Sequence, residues 1–200
     1  MLSNRKLKIN IDGCSEVRLR KGMKKYAGKL DLDLDTAHRQ LSVDKEMKMA
    51  KYVEEKQQYL DHPNRFDCYR QVLCAEPLHG RFYWEVECNG FCVVGVAYQG
   101  LCRGGFSDGC LGYNKLSWCL ECNCKFTVMH NKKMIKVPVP CLERNRIGVY
   151  LDWVAGALSF YSFSFDSRHH LHTFHCTFTE PLYAAFGVCR DEAFIRLCQV

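Results

Sequence analysis

Two stretches of this sequence place reactive side chains at short spacing. In WCLECNC, Cys119, Cys122 and Cys124 have the look of half a zinc site, where thiolates share a tetrahedral metal. In RHHLHTFHC, His169, His170, His172 and His175 run into Cys176, a set from which a metal cage or a Cys-His nucleophile could be drawn. Spacing argues against both. If Leu116 to Cys122 is a strand, residues three apart point to opposite faces, and Leu120 and Glu121 supply no turn to fold the thiols around a metal. The histidines match neither the i, i+4 of a helical site nor the paired-Cys then paired-His order of a finger. His175 and Cys176, adjacent on a strand, point apart. No hydrolase, oxidoreductase or phosphate-cradling motif occurs. Zinc binding and Cys-dependent catalysis are therefore the weakest readings, and no cofactor is expected.

The elements around these residues have period two. In RFYWEVEC, Phe82, Trp84 and Val86 alternate with Tyr83, Glu85 and Glu87, which predicts a half-buried antiparallel strand. FCVVGVAY is apolar on both faces and reads as an interior strand, with Gly95 marking a close backbone approach. QGLCRGGFSDGCLGYN holds five glycines and predicts a long exposed loop. SWCLEC and FTVMH read as strands, and the prolines of HNKKMIKVPVP confine that segment to an edge or a connection. NRIGVYLDWVAGALSFYSF is the strongest hairpin, with Ile147, Val149 and Leu151 on one face of its first strand and Leu158 and Phe160 on one face of its second. Phe174, Cys176 and Phe178 alternate with polar neighbours, and LYAAFGV and AFIRLCQV end the chain on strand-like residues. Many short strands without 3.6-residue periodicity imply an all-β sandwich or barrel. SVDKEMKMAKYVEEKQQY alone favours helix on intrinsic propensity.

Composition narrows the function classes. At 48% hydrophobic and 12% aromatic, the 200 residues can bury enough surface to fold as one core, so disorder is excluded. The longest stretches without a charge fall short of a bilayer span. Residues 1 to 30 contain no apolar run resembling a secretory signal. The expected compartment is the reducing cytoplasm, with the 14 Cys mostly free thiols or small core fillers. Before Leu30, nine basic residues stand against two acidic ones, a local net of +7, whereas the remainder comes to −1. The body of the chain lacks the basic footprint that a phosphate backbone requires, so no nucleic-acid partner is expected.

From Leu30 onward, LDLDTAHRQLSV, HPNRFDCYRQVLCAEPLHGRFYWEVEC, LDWVAGALSFY and FTEPLYAAFGV resemble, in order, the signature blocks of a PRY-SPRY domain. The resemblance implies a bent sandwich of two antiparallel sheets over residues 30–200, with PRY at about 30–85 and SPRY at about 86–200. It also implies that KMAKYVEE is a strand, which we prefer over its helix propensity. LKINIDGCSEVRLRKGMKKYAGKL resembles the junction before this domain in fish receptors built from a NACHT ATPase and leucine-rich repeats. The 1–29 leader is thus expected to lie outside the domain, as the end of such an array. The chain departs from the family at Leu34 and at Ala184 or Ala185, where Pro is common beside turns. The same domain ends many tripartite-motif ligases and the subunits of stonefish-type pore-forming toxins. No RING, B-box, coiled coil or Walker A loop is present in this sequence.

What the resemblance implies is a non-catalytic module that binds a protein or peptide through loops at 52–68, 100–113, 121–131 and 190–193. It points to the recognition part of an innate-immune receptor or ligase-type protein, with the toxin-like subunit as the alternative. Tyr69, Arg70, Arg103, Phe106, Phe126 and Arg190 are the expected anchors, since aromatic and Arg side chains dominate interfaces. Tyr69 and Phe126 have a competing role as core filler. Arg103 and Phe106 are expected to carry binding without carrying stability. Trp84, Trp118, Trp153, Leu158 and Phe160 are expected to be structural.

Overall fold

The computed structural model describes residues 22–105, 108–141, 144–163 and 168–200. Among these residues thirteen strands follow one another. The first seven are β1 (Leu41–Asp44), β2 (Met49–Tyr52), β3 (Gln71–Leu78), β4 (Arg81–Asn89), β5 (Cys92–Tyr98), β6 (Ser117–Cys122) and β7 (Lys125–His130). The rest are β8 (Lys133–Pro140), β9 (Arg144–Asp152), β10 (Ala157–Phe163), β11 (Arg168–His175), β12 (Leu182–Val188) and β13 (Phe194–Leu197). They form two antiparallel sheets, a seven-stranded one in the order β1-β2-β13-β4-β9-β10-β11 and a six-stranded one in the order β3-β12-β5-β6-β7-β8. The all-β sandwich expected from the period-two pattern is what the chain adopts. The helix-favouring segment is the β1–β2 hairpin, in which Leu41 pairs with Tyr52 and Asp44 with Met49. Its turn is closed by Lys48 at φ 51°. Burying Leu41 and Ala50 in the sandwich outweighs the propensity of the Lys, Glu and Met residues for helix.

Strand order explains why residues before and after position 80 cannot fold apart. β13, from the end of the chain, pairs with β2 on one side and β4 on the other, while β3 pairs with β12 in the opposite sheet. The inner faces contribute Trp84, Val86, Val94, Val96, Trp118, Leu120, Ile147, Val149, Leu151, Leu158, Phe160 and Phe186 to one core. Tyr98 and Phe178 meet the Trp118 ring edge-on at 5.3 Å each, an arrangement that aromatic quadrupoles favour. Trp153 is half-exposed and donates its indole N–H to the Glu180 carbonyl at 2.9 Å. β8 is an edge strand, as its prolines require.

Both outer faces are also covered, which alternation alone did not anticipate. On β4 the expected outward residues Tyr83 and Glu85 are fully buried. Met23 and Tyr26 pack there beside Tyr150, Tyr161 and Phe163, and Ala27 forms a parallel bridge to Tyr83. Residues 22–29 therefore strap the seven-stranded sheet, and the +7 leader joins the body through them; residues 1–21, with the proposed repeat strand, lie outside the described residues. The buried Glu85 carboxylate accepts from Tyr83 Oη at 2.7 Å and is ion-paired with Arg146.

On the six-stranded sheet, Leu73, Val93, Ala97, Cys119, Met129 and Ala185 face outward and are roofed by Phe66, Leu101 and Leu111. The glycine-rich stretch is thus pinned at Leu101 and Leu111 instead of being wholly exposed. Gln71 anchors it, donating to the Gly109 carbonyl at 2.8 Å and accepting from the Leu111 amide at 2.9 Å. Ala184 and Ala185 sit buried within β12, away from the turn.

Arg65 organises the 34–66 connections. It is only 8% exposed, and its guanidinium donates to the carbonyls of Leu34 and Ala37 at 2.7 Å each and of Leu60 at 2.6 Å and 3.1 Å. Arg65→Lys keeps the charge and loses the planar fork, so a stability loss of about 3 kcal/mol is expected by denaturant titration. A Cβ on Gly95 would fall 2.2 Å from the Trp118 carbonyl oxygen of the neighbouring strand. Gly95→Ala should accordingly lower stability by about 2–3 kcal/mol, whereas Gly100→Ala, with open space around it, should change the melting curve little.

Candidate functional site

One end of the six-stranded sheet's outer face escapes the roof, and the strand register dictates which residues lie there. Gly187, Val93, Glu121 and Thr127 follow one another across β12, β5, β6 and β7. Beyond this row the chain leaves the strands. The Val188 amide donates to the Arg70 carbonyl at 3.0 Å and the Cys189 amide to the Phe91 carbonyl at 2.9 Å. These bonds bring Tyr69 and Arg70, just before β3, beside Arg190, just after β12, and beside Phe91 from the β4–β5 turn. Cys110 and Tyr113 close the surface from the loop before β6, with Tyr113, Phe91 and Cys189 packed on the roofed cluster.

The two arginines are held by aromatic faces. The Arg70 guanidinium lies 4.6 Å from the Tyr52 ring centre and donates to Gln40 Oε1 at 3.3 Å. That of Arg190 lies 5.5 Å from the Phe91 ring centre. Such stacking fixes the direction of the charge while leaving it partly in water. The 190–193 turn is set by the Ala193 amide donating to the Arg190 carbonyl at 3.2 Å, with Glu192 at φ 60°. The Tyr52 amide, which donates to the Ala193 carbonyl at 3.1 Å, locks this turn to β2.

Across from the arginines, Glu121 is half-buried, and no hydrogen bond or ion pair reaches its carboxylate among the described residues. Burial raises its pKa, because removing water penalises the charged form. Cys189 lies between the two signs of charge, influenced by Arg70 and Arg190 on one side and Glu121 on the other, with burial pushing its thiol up to about 12. Burial likewise pushes Cys110 up to about 11 and raises the Tyr113 phenol. Thiols so shifted are poor nucleophiles at neutral pH. The surface can offer cations, aromatic faces and a desolvated carboxylate to a partner.

Three of the expected anchors, Tyr69, Arg70 and Arg190, are brought together here. Phe126 is not an anchor: its ring is fully buried in the inner core, because its place in β7 points it between the sheets. Arg103 serves the loop. Its guanidinium donates to the carbonyls of Asn64 at 2.9 Å, Gln99 at 3.1 Å and, by a shorter bond or contact, Leu101, and it stacks 4.8 Å from the Phe66 ring centre. Removing it frees both connections, so stability and presentation are not separable there. Phe106 lies outside the described residues. Phe91, Glu121 and Cys189 were not singled out from sequence, although a charged Glu121 inside the apolar run SWCLEC was a signal. Cys119 and Cys122 do point to opposite faces, one to the roofed cluster and the other to the inner core. Among the described residues no group of three or more His, Cys, Asp or Glu is arranged to hold a metal, and no helix is long and apolar enough to cross a membrane.

Comparisons with known proteins agree with this architecture. The family model for the SPRY-associated domain, PRY, matches residues 30–78, and that for the SPRY domain matches residues 81–197. Stonustoxin subunit alpha of Synanceia horrida is 41% identical over 167 residues, which is 82% of this chain and 24% of the toxin subunit. Tripartite motif-containing protein 16 of Mus musculus is 35% identical over 187 residues, covering 91% of this chain and 33% of that protein. The chain thus spans about a quarter to a third of the length of these relatives. Among solved structures, the crystal structure of the TRIM65 PSpry domain superposes with a TM-score of 0.80 at 26% identity, covering 91% of this chain and 96% of that one. With both family models matched in order and the two-sheet sandwich shared, the chain belongs to the PRY-SPRY family.

Proposed function

We propose that this chain is a non-catalytic recognition module whose protein or peptide partner docks on the uncovered end of the six-stranded sheet. The observation that carries the reading is that Tyr69, Arg70, Arg190, Phe91 and Tyr113 gather at the same uncovered end of the sheet as the half-buried Glu121. A partner that brings a cation to Glu121 recovers the solvation lost to burial, while the stacked arginines donate to carboxylates or carbonyls at low entropic cost. The SPRY family match and the tripartite-motif relative support placing such a module in a cytoplasmic innate-immune receptor or ligase-type protein. A second reading, a domain of a pore-forming subunit, is favoured by the higher identity to stonustoxin. Lysis of red cells by the full natural protein separates the two.

The site is tested by selecting peptides from a displayed library on the immobilised chain and measuring their affinity by calorimetry. Arg190→Ala combined with Glu121→Gln should weaken binding at least tenfold, as expected for anchors worth more than about 1 kcal/mol. Binders indifferent to both changes would place the docking surface elsewhere. Glu121 also sets a pH dependence in the free protein. Its folded pKa is raised, so the stability it allows is fully present below the unfolded carboxylate range and is lost as pH rises through the folded value. Glu121→Gln should therefore melt higher than the parent at pH 7 and coincide with it near pH 3.5.

A further inference from the structure

Trp84 is 2% exposed, and among the described residues no acceptor reaches its indole nitrogen, which is itself shielded from solvent. A buried indole N–H ordinarily finds a partner, as that of Trp153 does at the Glu180 carbonyl. The same Trp84 side chain walls a cavity of about 550 Å³, a size typical of sites for small molecules. Leu30 and Leu197 add apolar wall, Gly28 adds backbone, and Lys29 and Lys48 are the only charged side chains of the lining. The walls are tied down without a ligand. The Leu197 amide donates to the Lys48 carbonyl at 3.0 Å and the Cys198 amide to the Glu85 carbonyl at 2.9 Å. The Lys48 ammonium donates to the Leu30 carbonyl at 2.9 Å. A Cβ on Gly28 would fall 2.1 Å from a carbon of the Phe82 ring, so the strap lies directly on that ring.

We propose that this cavity binds a small monocarboxylate with an apolar body, such as a short-chain fatty acid or an arylalkanoic acid, whose carboxylate takes the Trp84 N–H. A donor left unpaired on a side chain that walls a cavity marks the place of an acceptor supplied from outside the chain, because its desolvation is otherwise uncompensated. The charge of that acceptor follows from the rim. Lys48 and Lys29 both pair with Asp31, at 3.0 Å and 3.3 Å, so two ammonium groups share one carboxylate and one positive charge is left over. An anionic acceptor makes the stronger bond to the indole and meets that excess, whereas a cation would be repelled by it. Leu30 and Leu197 give the apolar body of the ligand a surface to cover. The cavity shares no residue with the docking surface proposed above, so the two readings stand or fall separately.

The chain has three Trp, so nitrogen-15 labelling gives three indole N–H signals, which are assigned by nuclear Overhauser contacts in the unsubstituted protein. Hexanoate and 3-phenylpropionate are titrated in, with hexanamide and hexylamine as the neutral and cationic counterparts of hexanoate. The expected result is a saturable downfield shift of the Trp84 indole proton with both acids, while the signals of Trp118 and Trp153 stay in place. Hexanamide, which keeps an acceptor and loses the charge, should bind about tenfold more weakly than hexanoate, and hexylamine should not move the Trp84 signal. Lys48→Met should weaken hexanoate to the level of hexanamide; if that variant does not fold, the comparison of hexanoate with hexanamide carries the charge test alone. A Trp84 signal unmoved by both acids leaves the N–H to a trapped water and overturns the proposal. Equal affinity for hexanoate and hexylamine, or three indole signals that move together, overturns it as well.

Discussion

The buried guanidinium of Arg65 is the interaction on which the rest of the molecule leans. A β-sandwich satisfies its backbone in the ladders, but the connections that cover it have carbonyls with no strand partner, and water is excluded beneath them. Arg65 meets this need with one planar fork, collecting the carbonyls of Leu34, Ala37 and Leu60 where no carboxylate pairs with it among the described residues. Arg39 and Arg103 repeat the device nearby, the first on the carbonyls of Gln57 and Tyr59, the second on those of Asn64, Gln99 and Leu101. These arginines spend their donors on the protein itself. Phe66, Leu101 and Leu111 can then roof the outer face of the six-stranded sheet, and the extent of that roof decides which surface remains for a partner.

The candidate site is what the roof leaves open. Its chemistry follows from two unlike ways of treating charge at a half-buried surface. Arg70 and Arg190 keep their solvation by lying on Tyr52 and Phe91, so they are ordered without being neutralised. Glu121 has no such support and is raised by burial alone. Charges arranged in this way are costly in the free protein and favour a complementary partner. A nucleophile would need the opposite arrangement, a thiol lowered by neighbouring cations, and Cys189 shows that burial outweighs the two arginines.

The elements were legible where a side chain's burial follows from alternation within its own strand. Ile147, Val149, Leu151, Leu158 and Phe160 are fully buried as their hairpin pattern predicts, and Gly95 does mark a close backbone approach. Legibility failed where burial depends on chain distant in sequence. Tyr83 and Glu85 alternate like solvent-facing residues, yet Met23, Tyr161 and Phe163 cover that face. Phe126 and Tyr69 look alike in sequence, and only the direction imposed by β7 sends Phe126 into the core. Arg103 reads as an anchor because its loop is rich in glycine, and its three carbonyl partners lie on two different connections.

By itself the sequence determined the fold class, the interior strands, the edge position of the proline-bearing β8 and the membership signalled by its four ordered blocks. Period-two burial and turn chemistry are local and survive without knowledge of neighbours. The tertiary structure alone decided which faces are covered, which arginines are free to meet a partner, and that Cys92 and Cys122 pair across adjacent strands. Each of these depends on contacts between residues far apart in the chain, and no spacing along the sequence encodes a distance across two sheets.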